Sequence, residues 1–328
     1  MSARRHHALT RVAVLAAFAL GGSLAGCSDD GSATSSSPTS ESSTSGPSST
    51  ESSTTESESE TETETGTTEG ESGPTLPETS PCDPADGVLF GSPTMNTGLG
   101  SDECQPSCAC EGGAWTPPAY DQAFIDAILA FELLDPPQLL ADDPYEVDPD
   151  AMPDNNWVCA VQFEADNPNA YRLRNYLDAQ SAIDDGAWVT HEGLCGQCSS
   201  LANLAVYVGS PDLTDPVRSC GLLGITEGEE ANIQCLMDLG FDEPCAQIWY
   251  FNTVNTREAC FDLCIEHLES PNHNPDGSLN PCIQCDEDES GPVFKTYSGR
   301  TRRNSGLPSA LCRPCGSVYR VTHDYGVL

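Results

Sequence analysis

Apolar residues recur at three- and four-residue intervals along the middle of the chain, and each recurrence predicts a helix. Phe124, Ile125, Ile128 and Leu129 form one such face within 121–134. Leu201, Leu204, Ala205 and Val208 form a second within 199–208, and Ile233, Leu236 and Met237 a third within 229–239. Asn167-Pro168, ahead of Tyr171, Tyr176 and Leu177, reads as an N-cap with Pro in the first turn. Asn255 with Glu258 fits a capping box and opens a helix through His267. Strand patterns are fewer: Val293–Tyr297 and Val318–Tyr325. Residues 82–118, rich in Gly, Pro and Cys, predict a bridged, loop-rich subregion. The pattern predicts a mainly α domain with a small β-sheet, beginning near Cys82.

The N-terminal quarter has no such periodicity. Residues 28–81 are almost entirely Ser, Thr, Glu, Gly and Pro, with no lysine or arginine. Such a stretch buries too little surface to offset its chain entropy, and its like charges repel. It is expected to be a disordered tether, reaching roughly 180 Å when stretched at about 3.4 Å per residue. Its Ser/Thr density also suits a glycosylated stalk.

Ahead of the tether lies an apolar run from Val12 to Leu20, preceded by Arg4, Arg5 and Arg11. A basic start, a short apolar core and small residues before a cut make an export signal, and the run is too short to span a bilayer. The pair Arg4-Arg5 raises a twin-arginine route, but His6-His7-Ala8 fits it poorly and general secretion is expected. The signal ends Leu24-Ala25-Gly26-Cys27, which resembles the lipobox of bacterial lipoproteins. That resemblance implies cleavage before Cys27, diacylglycerol on its sulfur and further acylation, so that a membrane is a partner through lipid. The expected organisation is a signal peptide at 1–26, a tether at 27–81 and an ectodomain at 82–328. The expected location is the bacterial cell envelope, with Ser28 after the lipidated residue favouring the outer over the inner membrane.

Charge narrows the partners. The chain has 13 basic and 51 acidic residues, a net charge of −38. Nucleic acid and anionic lipid surfaces call for a basic face and are disfavoured. An extracellular or periplasmic protein or glycan remains as a partner class.

The 17 cysteines set the chemistry. With Cys27 assigned to lipid, sixteen remain: Cys82, Cys104, Cys108, Cys110, Cys159, Cys195, Cys198, Cys220, Cys235, Cys245, Cys260, Cys264, Cys282, Cys285, Cys312 and Cys315. At this density in an exported chain they read as half-cystines of up to eight disulfides of open connectivity. Cys108 and Cys110 are too close to pair comfortably with each other.

Four segments carry candidate chemistry. The sharpest is Trp188–Cys198, W-V-T-H-E-G-L-C-G-Q-C, followed by a helix. A cysteine at a helix N-terminus has its thiolate favoured by the helix dipole. Val189, Gly193, Cys195, Gly196 and Cys198 match the papain nucleophile region in register, and the segment resembles that family locally. The resemblance implies Cys198 as nucleophile, Cys195 as a structural half-cystine and a downstream histidine base, for which His323 has the spacing. Glu192 stands where the family places its oxyanion-donating glutamine, Ser199 where it places tryptophan, and no asparagine follows His323. C-G-x-C at a helix start is also similar to thioredoxin-like sites, implying a thiol–disulfide oxidoreductase at Cys195/Cys198. Against both stands the reading of ordinary disulfides.

Cys260, Cys264 and His267 share a helix face and could ligate zinc, although disulfides fit the compartment better. Asn272–Asn280 partly resembles a calcium loop, with Asn272, Asn274 and Asp276 as oxygen donors and Ile283 where the loop wants Glu. Asp142, Asp143, Glu146, Asp148, Asp150 and Asp154 form a second acidic run. Calcium is the one cofactor either could hold; otherwise no metal or cofactor is expected. Lys295, Arg300, Arg302, Arg303, Arg313 and Arg320 concentrate basic charge late in the chain. Arg300, Arg302 and Arg303 are candidates for an anion site, the alternative being internal pairing with the acidic excess. The expectation is a binding or structural ectodomain without catalysis, with a cysteine hydrolase (Cys198, His323, Glu192) as the alternative and the oxidoreductase behind it.

Overall fold

Helix α1 (Gln122–Leu129) starts where Asp121 accepts from the Phe124 amide, and it buries Phe124 and Ile128. The computed structural model to which it belongs describes residues 73–82, 87–111, 113–148, 152–153 and 156–328. The expected signal peptide, Cys27 and most of the expected tether lie outside the described residues, as do Asp150 and Asp154. Contacts begin ahead of Cys82, since Glu78 bridges Arg320.

The main sheet has four strands. After β1 (Leu89–Phe90), β2 (Cys104–Gln105), β3 (Cys108–Cys110) and β4 (Gly113–Trp115) come β5 (Glu132–Leu133), β6 (Val158–Glu164), β7 (Asn167–Tyr176) and β8 (Trp188–Glu192), ordered β5-β7-β6-β8. β6 pairs antiparallel with both β7 and β8. Its two faces are buried differently. Val161 joins Tyr171 and Trp188 in the helical core, while Val158 and Ala160 pack with Val189, Ala182 and Val321 on the other side. A strand buried on both faces reads as a continuous apolar run without alternation. Helix α2 (Ala179–Asp184) links β7 to β8.

The helical layer holds α3 (Leu201–Gly209), α4 (Thr214–Glu227), α5 (Glu229–Asp238), α6 (Glu243–Glu266), α7 (Pro281–Glu289) and α8 (Gly291–Ser298). The periodicities at 121–134, 199–208 and 229–239 correspond to α1, α3 and α5. Three expectations are corrected. Asn167-Pro168 opens strand β7, not a helix, because the segment pairs along its length with β6. Val293–Tyr297 lies in α8, whose first turn holds Pro292. Val318–Tyr325 forms no strand; a single bridge, Arg320 to Glu78, is its only ladder contact among the described residues. The capping-box helix is longer than expected: α6 starts at the cap Asp242 and carries Asn255 in its interior.

Eight disulfides fasten this frame: Cys82–Cys110, Cys104–Cys312, Cys108–Cys315, Cys159–Cys195, Cys198–Cys245, Cys220–Cys235, Cys260–Cys285 and Cys264–Cys282. The chain is therefore mainly α with a small sheet and is disulfide-rich. Cys104–Cys312 and Cys108–Cys315 tie the loop-rich N-terminal arm to the C-terminal arm. Among the described residues no helix is long and apolar enough to cross a membrane.

Candidate functional site

The segment 188–200 runs from β8 through a tight loop into α3, and the stretch 297–305 zips onto it. Gln197 and Cys198 donate their amides to the carbonyls of Tyr297 and Ser298 at 2.9 and 2.7 Å. Gly196 and Gly299 make this approach possible. A Cβ on Gly299, at φ +73°, would stand 2.5 Å from the Gly196 nitrogen and 2.6 Å from Ser199 Oγ. Only glycine fits such a left-handed, crowded position.

Cys198 is fully buried and bonded to Cys245. The reason lies in two helix starts set side by side. Ser200 caps α3, Asp242 caps α6, and the Asp242 carboxylate also accepts from Ser200 Oγ at 3.0 Å and Asn203 Nδ2 at 2.8 Å. The disulfide staples the same junction. Cys198 is therefore not a nucleophile in this structure, since a disulfide sulfur carries no thiolate. Cys195 is bonded to Cys159 on β6. The C-G-Q-C pair thus belongs to two separate bridges, which corrects the redox assignment at Cys195/Cys198.

His323 is fully buried as well. Its Nε2–H donates to the Ser305 carbonyl at 2.9 Å, so Nδ1 must accept, and it does so from Tyr325 Oη at 2.8 Å. Val321, His323 and Tyr325 are all buried, and so is Arg320 next to Val321. Burial and the nearby Arg300 guanidinium pull the His323 pKa from its usual value near 6.5 down to about 3. It is a neutral structural imidazole, not a general base. Glu192 is half-exposed and pairs with Lys295 at 3.1 Å; its backbone carbonyl accepts from Asn304 Nδ2 at 2.7 Å. The three hydrolase candidates do not form a reactive set.

Arg300 is the centre of the region. It is 0 % exposed and donates only to uncharged groups: the carbonyls of Cys198 (3.2 Å), Thr190 (3.3 Å) and Ser199 (3.1 Å), Thr190 Oγ1 (2.6 Å) and Ser305 Oγ (3.4 Å). From Thr190 the hydrogen bonds run on to Tyr325 Oη (2.8 Å), then His323, then the Ser305 carbonyl. Each group has one consistent direction, starting from a guanidinium that can only donate. Arg300 therefore offers no surface to an anion.

Arg302 is also structural. It donates to the carbonyls of Tyr207, Ser210 and Pro308 and lies over the Tyr207 ring. It covers the C-terminal carbonyls of α3, where a cation is favoured by the dipole. Arg303 is partly exposed and pairs with Glu287 at 3.6 Å, a carboxylate shared with Arg313 at 2.5 Å. Of the two readings of the cluster, internal pairing with acidic groups fits Arg303, whereas Arg300 and Arg302 are held by uncharged acceptors, mostly backbone carbonyls. Arg303→Ala should cost less than about 1 kcal/mol in urea unfolding, as solvent-screened pairs do.

Sequence reasoning missed a Ser–His pair. Ser199 Oγ accepts from the Gly196 amide at 2.8 Å and donates to His191 Nε2 at 2.7 Å, while His191 Nδ1–H donates to the Glu192 carbonyl at 3.0 Å. Both side chains are completely buried. The spacing suits a nucleophile and its base, but the Gly196 and Gly299 backbones close over Ser199 and leave no place for a reacting atom. No local signal marks His191 as buried, since Trp188, Val189, Thr190 and His191 are all buried and the strand does not alternate.

The ligand candidates resolve similarly. Cys260 and Cys264 are both in disulfides, which removes the zinc set with His267. In the 272–280 loop, Asn274 Nδ2 donates to Ser278 Oγ and the Leu279 carbonyl, and Asp276 accepts from Ser278. Asn280 caps α7 and Asn272 is buried. Asn274 and Asp276 thus spend side-chain groups on bonds within the turn, while the Asn272 amide nitrogen is buried without a hydrogen-bond partner. Among the described residues, the His, Cys, Asp and Glu ligand atoms close enough to share an ion are the sulfurs of Cys82, Cys108 and Cys315.

Residues 229–321 match a family of unknown function (DUF8771). The match runs from α5 to the C-terminal arm and includes Arg300, Arg302 and Arg303. Cys235, Cys245, Cys312 and Cys315 within it bond to cysteines outside it. The matched segment is thus covalently continuous with the rest of the fold. No curated protein and no solved structure matches the chain.

Proposed function

We propose that the chain is a lipid-anchored envelope protein whose disulfide-stapled ectodomain has a binding or structural role. One observation carries this reading. The sixteen described cysteines, Cys82 to Cys315, pair completely among themselves, and the seventeenth in the sequence is Cys27 of the lipobox-like Leu24–Cys27. An odd cysteine in an exported protein asks for another use, and diacylglycerol attachment supplies it. Full pairing also fits an oxidising compartment. The acidic segment after Cys27 would hold the domain away from the lipid, and Ser28 favours the outer membrane.

A non-catalytic role is supported by the fate of Cys198, His323 and Glu192. A partner would be a protein or glycan met at the acidic surface.

Produced in a bacterial host, the wild-type chain should fractionate with membranes and incorporate an alkyne-tagged fatty acid. Cys27→Ser should lose the label and move to the soluble fraction. Membrane retention of the unlabelled Cys27→Ser chain would overturn the reading.

A further inference from the structure

Two disulfides abut where the tether joins the domain. Cys82–Cys110 lies beside Cys108–Cys315, and the sulfurs of Cys82, Cys108 and Cys315 all fall within 4.8 Å of one another. Cys108 and Cys315 are closed off at 0 % and 1 % exposure, whereas Cys82 is at 9 % and Cys110 is part-exposed. The outer bridge therefore stands between solvent and the inner one.

A cation attends the outer bridge. Arg320 Nη1 donates to Cys110 Sγ at 2.9 Å, Nη2 donates to the Ser80 carbonyl, and Glu78 lies 3.9 Å away. Arg320 is 6 % exposed and its Nε has no hydrogen-bond partner. A buried guanidinium with a spare donor, aimed at a sulfur, is placed to hold a thiolate.

We propose that these four cysteines form a disulfide-exchange site, opened at Cys82–Cys110 by a protein dithiol and relayed to Cys108–Cys315, with Arg320 as the positioning residue. A thiolate of the external dithiol attacks Cys82 Sγ. The Cys82–Cys110 bond breaks and its electron pair leaves on Cys110 Sγ, beside Arg320; a better-stabilised leaving thiolate departs faster. The reductant's second thiol loses its proton to solvent and attacks its partner sulfur in the mixed disulfide, which releases Cys82 as thiolate. The dithiol is oxidised to a disulfide by two electrons, and the domain is reduced by two. Cys82 thiolate then attacks one sulfur of Cys108–Cys315. A new Cys82 bridge forms, the old bond breaks, and the electron pair leaves on the displaced cysteine, with no net redox change. The second step loosens the bond tying the two arms. None of this chemistry requires the Cys27 anchor, so it can fail while the lipoprotein reading stands.

The test uses the full, folded chain and dithiothreitol as the probe, with acid quench, alkylation and peptide mapping. Cys110, together with Cys82 or the cysteine it displaces from Cys108–Cys315, should be labelled at least tenfold faster than the cysteines of the other bridges. Arg320→Gln should slow that labelling several-fold, and Arg320→Lys should restore much of it. In Cys110→Ser, Cys82 should be found bonded to Cys108 or Cys315, with the displaced cysteine labelled. If Arg320→Gln does not fold, Cys110→Ser decides alone. Labelling of all bridges together, or a free Cys82 beside an intact Cys108–Cys315 in Cys110→Ser, would overturn the proposal. So would uptake of zinc by the reduced four-cysteine set in place of exchange.

Discussion

Arg300→Met should lower the unfolding free energy by about 4 kcal/mol, as removal of one partner from a buried charged network does. Methionine approximates the length of the arginine stem and restores none of the donors. The carbonyls of Cys198, Ser199 and Thr190 would then be left in a closed interior without their donor, and an unsatisfied buried acceptor costs roughly 1–3 kcal/mol. Arg300→Lys should fall only a little short of the same loss, because one ammonium cannot span acceptors arrayed around a planar fork. The comparison with Arg303→Ala separates two accounts of the basic cluster. A ligand site at the surface would make both substitutions mild for stability. Urea titration with unchanged slope is the readout.

The second large effect is expected in acid. His191 and His323 are both buried neutral, and burial, followed by Arg300, is what depresses each. A histidine whose folded pKa lies below its unfolded value near 6.5 stabilises the fold fully above that value. The stability is then lost as pH falls, because the unfolded state takes up the proton first. For His323, held at about 3, the loss between pH 6.5 and 3 amounts to at most about 5 kcal/mol. His191 adds a loss of the same sign. Asp286 acts in the opposite sense: its carboxyl is held above the ordinary value by burial, so protonating it favours the fold. The net expectation is a fall in stability below pH 6 that is shallower in His323→Asn by close to one proton, or about 1.4 kcal/mol per pH unit. Equal slopes for the two proteins would mean that His323 is not held neutral by the network.

Much of the helical layer was legible because it depends on local sequence. Asp121 and Ser200 cap α1 and α3, and the apolar faces behind them have helical period. The sheet was not legible, because β7 is decided by its partner. Asn167-Pro168 is a good helix start in isolation, but pairing with β6 overrides it. The reverse happened at Val293–Tyr297, where Pro292 in the first turn and the packing of Phe294 against Trp249 favour helix over β-branched propensity. In the C-terminal arm a strand was expected over Val318–Tyr325, yet side-chain hydrogen bonds and disulfides hold that arm without a ladder. Cys198 was misleading for a related reason. A helix N-terminus favours a thiolate, but a second helix start with its own Cys245 lies against it, and only the fold brings the two together.

The central claim, a lipidated Cys27 ahead of a domain with no free thiol, is tested most directly by intact mass spectrometry. The mature chain would be extracted from membranes and alkylated in denaturant without reduction. The predicted mass corresponds to a chain beginning at Cys27, carrying diacylglycerol and no alkylated cysteine. An unlipidated chain with a different N-terminus, or alkylation at Cys195 or Cys198, would contradict it.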